Sequence, residues 1–234
     1  MFIGISILTA SFHLLVFLTV LLVIHEMGHF LTAKLFGLEV DCIEIYPYGG
    51  ISKCNIPLNY SIPKEMIILI NGPLFQQFAF LLLIRLFPYY ASTIRIYHYA
   101  MLLFNLLPII PLDGGKLLHL IIQYCKPYKK SYEIMIRISY LTILFLGVLY
   151  FKEIRINQII VILFLIWKVE LERKKKNYIY EKFLLERYIH PKKYKQSTII
   201  KSKDLFYKRK RHLLKIGDKY TLECDYLKEK YEKK

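Results

Sequence analysis

Apolar residues in this chain do not alternate with polar ones so much as fill whole stretches. Leu14–Phe36, Met66–Phe87, Ile94–Ile110 and Ile134–Phe151 are each almost free of charge. Their lengths approach the roughly 20 helical residues that cross a hydrocarbon layer. Ile156–Trp167 is a shorter fifth run, and Phe2–Ala10 reads as a partial helix before a break at Ser11-Phe12-His13. The pattern predicts an all-α fold, a polytopic transmembrane helical bundle of five or six spans.

Charge alters that picture at one end. The chain has 234 residues, is 55% hydrophobic and still carries a formal charge of +16, a pairing that fits an integral membrane protein with basic cytoplasmic parts and fits a soluble globule poorly. Lys168–Lys234 contributes +12 of the +16. We therefore expect a membrane domain over 1–169 and a small basic cytoplasmic tail over 170–234. Lys34, Lys53 and Lys64, and Lys116, Lys126, Lys129 and Lys130, fall in segments that share the tail's side, while Arg95, Lys152 and Arg155 fall opposite, as the positive-inside rule requires. Arg85 is expected to snorkel to the interface. Cys42, Cys54, Cys125 and Cys224 form no CxxC pair and read as free thiols. No cleavable signal peptide is expected, since apolar character starts at Phe2 without a basic region.

Within the first span lies "HEMGH", His25 to His29. Ionisable groups at membrane depth are costly and usually mark function. Residues four apart share a helix face, so both imidazoles can turn to one metal ion, with Glu26 a step round the helix as a general base toward water. A catalytic zinc generally takes three protein ligands. A candidate for the third stands in "NLLPIIPLDGGKLLHL", Asn105–Leu120, where Pro108 and Pro111 break a span near its cytoplasmic end and Asp113 precedes two glycines. Taken alone, Asp113 would read as an acidic turn; beside HExxH it reads as a ligand.

Together, HEMGH on a span, "NGPLFQQF" from Asn71 and "NLLPIIPLDGGKLL" from Asn105 resemble the site-2 protease family of intramembrane zinc metalloproteases. "IEIYPYGG" from Ile43 and "FLLERY" from Phe183 narrow the likeness to the sporulation stage IV protein FB group of spore-forming bacteria. The resemblance implies one zinc ion per chain, with His25, His29 and Asp113 as ligands and Glu26 as catalytic base. It implies that Asn105, Pro108 and Pro111 support the site. It also implies a membrane-associated protein substrate, an inactive sigma factor precursor cut during sporulation, and inhibitory membrane protein partners in a bacterial cell membrane. The tail is shorter than the nucleotide-binding CBS domain usual in that group. From Lys201 it reads as one short strand, a Gly-Asp turn and a helix, a truncated CBS-like unit.

Val40–Ser52 reads either as an edge strand or hairpin for an extended substrate or as an interfacial loop anchored by Tyr46 and Tyr48. Asn71-Gly72-Pro73, inside a span, suggests a close helix contact or kink near the site. His13, His98, His119, His190 and His212 lack metal-ligand spacing and read as interfacial, capping or solvated. The basic clusters at Arg173 and Lys208 suggest anionic lipid, and no nucleic acid, since no nucleic-acid motif accompanies them. The rival reading is a catalytically silent membrane relative acting as a binding partner, which would have no need of Glu26. A transporter would show more intramembrane carboxylates and internal repeats.

Overall fold

The computed structural model describes residues 12–38, 40–46, 49–54, 56–149, 156–192, 194, 196–216 and 219–232. The chain divides into two compact units, Met1–Ile56 with Tyr60–Leu106, and Pro57–Asn59 with Leu107–Lys234.

In the first unit, α1 (Phe12–Leu35) contains the whole HEMGH run. Its end is set by Gly37 at φ 72°, where the amides of Gly37 and Leu38 close back on the carbonyls of Lys34 and Ala33 at 2.9 and 3.1 Å. This is the glycine-dependent helix stop. An antiparallel pair, β1 (Val40–Tyr46) and β2 (Gly49–Cys54), follows and lies against α1. Of the two readings of Val40–Ser52, the strand is therefore the one adopted. α2 (Ile62–Leu86) continues through Pro73, and a 3₁₀ turn at Pro88–Tyr90 leads into α3 (Ala91–Leu106). Phe17 and Leu21 of α1, Ala79, Phe80 and Leu83 of α2 and Ile94 of α3 form one buried cluster. Lipid removes the usual hydrophobic drive, so close packing must hold such helices together. Gly28 of α1 supplies it: a Cβ there would stand 2.5 Å from the Asn71 carbonyl oxygen and 2.9 Å from the Phe75 Cβ.

Apart from Pro57–Asn59, the second unit starts with a non-helical strap, residues 107–112. α3 ends at Leu106 because Leu107 precedes Pro108, and a residue before proline is pushed out of helical angles; the expected run to Ile110 is thereby shortened. α4 (Asp113–Cys125), α5 (Tyr128–Leu149) and α6 (Ile156–Ile189) follow. α6 passes through the expected membrane boundary near Trp167 without a break, because Glu, Lys and Arg end an apolar run while still favouring helix.

Beyond α6 lie β3 (Ser197–Ile200), β4 (Arg211–Ile216), β5 (Lys219–Leu222) and α7 (Glu223–Glu232). β3 pairs parallel and β5 antiparallel with β4. The tail thus has two strands after Lys201 where one was expected: "LLKI" and "KYTL" flank the Gly-Asp pair, a hairpin pattern. Gly217 and Asp218 themselves lie outside the described residues. Phe206, Leu214, Tyr226 and Leu227 pack with Tyr128 of α5 and with Tyr180, Phe183 and Leu184 of α6. A buried charge cluster pins this sheet. Arg187 meets Glu223 at 2.6 Å, and Glu223 accepts at 2.8 Å from both the His212 amide and its Nδ1.

Leu15–Leu35, Ile62–Leu86 and Tyr128–Leu149 are long and apolar enough to cross a membrane. Phe2–Ala10 lies outside the described residues, whereas Phe12 and His13, expected at a break, are already helical.

Candidate metal centre

His25 and His29 stand one turn apart on α1, and both are almost wholly buried, at 1% and 6% exposure. Their Nε2 atoms are 3.2 Å apart. The other ring nitrogen of each is engaged: His25 Nδ1 lies 3.0 Å from Gln76 Oε1, and His29 Nδ1 lies 2.9 Å from the Ile68 carbonyl oxygen. Both partners belong to α2, and both can only accept. Each Nδ1 therefore carries the proton, and a neutral ring then has a bare lone pair on Nε2. Two lone pairs facing each other at 3.2 Å repel unless a cation lies between them. Bonds of about 2.0–2.1 Å at a tetrahedral ion put two imidazole nitrogens about 3.3 Å apart. The pair fits zinc.

Gly72 makes room for this arrangement. A Cβ at that position would lie 2.9 Å from His29 Nδ1 and still closer to its Cε1 and Nε2. The close contact expected at Asn71-Gly72-Pro73 is thus made by the imidazole itself. Thr32 Oγ1 donates to the Gly28 carbonyl at 2.8 Å, which occupies a hydroxyl that would otherwise be stranded one turn below. Glu26, one residue round from His25, is only half-buried.

In the second unit Asp113 is the first residue of α4 and is 7% exposed. It follows the strap that carries Pro108 and Pro111. Ser139 of α5 fixes the strap, its hydroxyl accepting the Ile110 amide at 3.0 Å and donating to the Met135 carbonyl at 2.9 Å. Gly115 lets the first turn of α4 close on the strap, since a Cβ there would stand 2.7 Å from the Ile110 nitrogen and nearer still to the Ile109 carbonyl. Lys116, one turn on, approaches the Asp113 carboxylate at 3.3 Å. Asn105 is half-buried in the last turn of α3.

Three residues of consequence carried no sequence signal that singled them out. Gln76 sits inside "NGPLFQQF" without recognisable spacing to the histidines, and Ser139 is an ordinary serine in an apolar helix. His98 was expected to be interfacial, capping or solvated, yet it is fully buried, stacked on Phe80 at 4.1 Å and bonded to both Gln76 and Gln77. His212 is likewise buried. For His98 the partners lie 21 and 22 residues away, and for His212 they are the Tyr207 amide and Glu223 in neighbouring elements, so periodicity along one segment cannot reveal either.

The peptidase family M50 model matches residues 13–93 and 89–146. Stage IV sporulation protein FB of Bacillus subtilis is 32% identical over 193 residues, 79% of this chain and 67% of that protein. The zinc metalloprotease MJ0392 of Methanocaldococcus jannaschii is 31% identical over 186 residues, 74% of this chain; the match spans only about half, 53%, of that longer protein. Among solved structures, the site-2 protease from Methanocaldococcus jannaschii superposes with a TM-score of 0.57 at 28% identity, over 73% of this chain and 83% of that one. HEMGH, the strap and Asp113 all fall inside the matched region, and the chain belongs to peptidase family M50, the site-2 protease family of membrane metalloproteases.

Proposed function

We propose that this chain is a zinc-dependent intramembrane endopeptidase in which His25, His29 and Asp113 hold one zinc ion and Glu26 is the catalytic base. The observation that carries the reading is the 3.2 Å approach of two buried imidazole nitrogens whose protons are committed elsewhere. The donor set of two imidazoles and one carboxylate suits a catalytic zinc. Bound there, zinc supplies Lewis acidity toward a water and a peptide carbonyl. Glu26 takes the proton from water as it attacks and returns it to the leaving amine. The Ile68 carbonyl and the Gln76 amide hold the two rings in one tautomer throughout. Asn105, Pro108 and Pro111 support the site through the helix end and strap that lead to Asp113.

The substrate in this reading is a membrane-associated protein, an inactive sigma factor precursor processed during sporulation, by analogy with the Bacillus relative. Inhibitory membrane proteins would hold the enzyme silent until processing is due. The membrane domain spans 1–169 with five or six crossings, α3 and the apolar first part of α6 adding a fourth and a fifth to the three long apolar helices. The tail, 170–234, faces the cytoplasm and contacts anionic lipid through its lysines and arginines.

The test compares the purified full chain with its Glu26→Gln form, measuring bound zinc and cleavage of a membrane-tethered precursor. Zinc in both with cleavage only by the parent supports the reading. Equal cleavage by both removes Glu26 from the mechanism, and no cleavage by either, with zinc bound, favours the silent relative.

A further inference from the structure

Gln76 is fully buried and its two ends face different partners. Its Nε2 lies 3.1 Å from the His98 carbonyl oxygen and 3.3 Å from His98 Nδ1, and its Oε1 lies 3.0 Å from His25 Nδ1. Turning the amide over would set its oxygen against a carbonyl oxygen at 3.1 Å, so the orientation is fixed by the surroundings. His98 is fixed in turn: its Nε2 lies 3.0 Å from Gln77 Oε1, and its ring stacks on Phe80 within 11° of parallel. The proton assignments run in one direction. His98 donates from Nε2 to Gln77 and accepts at Nδ1 from Gln76, which uses its second proton on the His98 carbonyl. The Gln76 oxygen is then left to accept from His25 Nδ1, which puts the lone pair of His25 on Nε2, the atom 3.2 Å from His29 Nε2.

We propose that Gln76 and His98 are positioning residues that set the tautomer and aim of His25, and that this neutral amide does the work more often given to a carboxylate behind a metal-bound imidazole. The proposal rests on the reading of His25 and His29 as metal ligands. An amide oxygen is a weaker acceptor than a carboxylate and raises ligand basicity less. In exchange, no additional charge is buried at membrane depth. Gln77 and Phe80 take part only through His98.

The test is metal affinity, measured on the full chain in detergent by titrating zinc against a chromophoric chelator, with the visible spectrum of the cobalt-loaded protein as a second readout. Gln76→Leu, similar in size but lacking an acceptor, should weaken zinc by about 10- to 100-fold and alter the cobalt spectrum. Gln76→Glu keeps an acceptor oxygen and should bind zinc at least as tightly as the parent, while its metal-free form melts lower. His98→Phe, which preserves the stack and removes one acceptor from Gln76, should weaken zinc by about two- to tenfold. A purely packing role would move affinity and metal-free stability together, and would favour leucine over glutamate. The inference is overturned if Gln76→Leu and His98→Phe bind zinc as the parent does, or if Leu and Glu at 76 lose affinity alike. Should the parent bind no zinc, or bind it undiminished after His25→Ala with His29→Ala, the metal reading itself fails and takes the inference with it. Should Gln76→Glu not fold, the Leu and Phe variants decide.

Discussion

Gly72→Ala adds one methyl group at the position where α2 faces the His29 ring, and the structure sets what that methyl must do. Nonbonded carbon atoms sit comfortably at about 3.5–4.0 Å. The new Cβ would be 2.9 Å from His29 Nδ1 and closer to Cε1 and Nε2, so the ring must retreat by about 1 Å. The Cβ cannot give way, because it is fixed to the backbone of a 25-residue helix. A retreat of that size lengthens the 2.9 Å bond to the Ile68 carbonyl beyond hydrogen-bond range and breaks the 3.2 Å pairing with His25. Overpacking of this kind costs about 1–3 kcal/mol of stability. A displacement of about 1 Å at a reacting centre can cost about 100-fold in rate. We expect Gly72→Ala to fold, to bind zinc more weakly than the parent and to cleave a tethered substrate about 100-fold more slowly. Gly147→Ala in α5 is the control, since among the described residues no atom beyond its own stretch of helix lies within 4 Å of where its Cβ would stand, and alanine there should stabilise the helix by up to about 1 kcal/mol. If Gly72→Ala matches Gly147→Ala in zinc affinity and rate, the packing argument for His29 is wrong.

Three further outcomes are expected. Glu26→Gln should retain zinc and lose proteolysis, read by metal analysis beside a cleavage assay; cleavage near the parent's rate would reassign the base. Asp113→Asn should lose most of its zinc as well as its activity, and a fully loaded, active variant would remove Asp113 from the ligand set. The tail should loosen in acid. Burial pushes the His212 imidazole below its ordinary value of 6.5, and although burial opposes it, the His212 and Arg187 contacts hold the Glu223 carboxyl below its ordinary 4.5. Both groups bind fewer protons folded than unfolded, so the stability they contribute is full above about pH 6.5 and falls as the pH drops through 6.5 and then 4.5. Protease cutting within 197–232 should accelerate over that range, and a flat profile would contradict the assignment.

Contiguous sequence carried the helices and the HExxH pair, and it missed what depends on distant partners. α1, α2 and α5 match apolar runs because a membrane-crossing helix must be apolar along its whole length, which needs no tertiary knowledge. His25 and His29 were visible because their spacing is a property of one helix. The end of α3 at Leu106 follows from Pro108 once the restriction on the preceding residue is applied, a detail that the apolar run to Ile110 concealed. Gln76, His98 and Ser139 act across 51, 22 and 29 residues of sequence, respectively. Nothing local distinguishes them from other polar residues in apolar helices. In the tail, β5 pairs with its neighbour β4, a local hairpin signal that the one-strand reading passed over, whereas β3 lies parallel to β4 across a long connection and Phe206 packs against α5 and α6, which no local pattern shows.

The choice of an amide at position 76 follows from the electrostatics of the proposed donor set. Two neutral imidazoles, one Asp113 carboxylate and a divalent ion sum to +1, and an ionised Glu26 brings that sum to zero. A site at membrane depth is least costly near neutrality, because charge there has no water to solvate it. A carboxylate behind His25 would push the loaded site to a net negative charge. In the metal-free protein it would add a third acid to the Glu26 and Asp113 of the proposed centre, where Lys116 already meets the Asp113 carboxylate at 3.3 Å. Gln76 supplies the acceptor that His25 requires without adding charge, and the acceptor behind His29, the Ile68 carbonyl, is likewise neutral. The two rings are therefore both aimed by uncharged oxygens, which leaves Glu26 and Asp113 as the acidic groups of the proposed centre. This division assigns base catalysis to one carboxylate and metal binding to the other, with tautomer control left to amide and backbone.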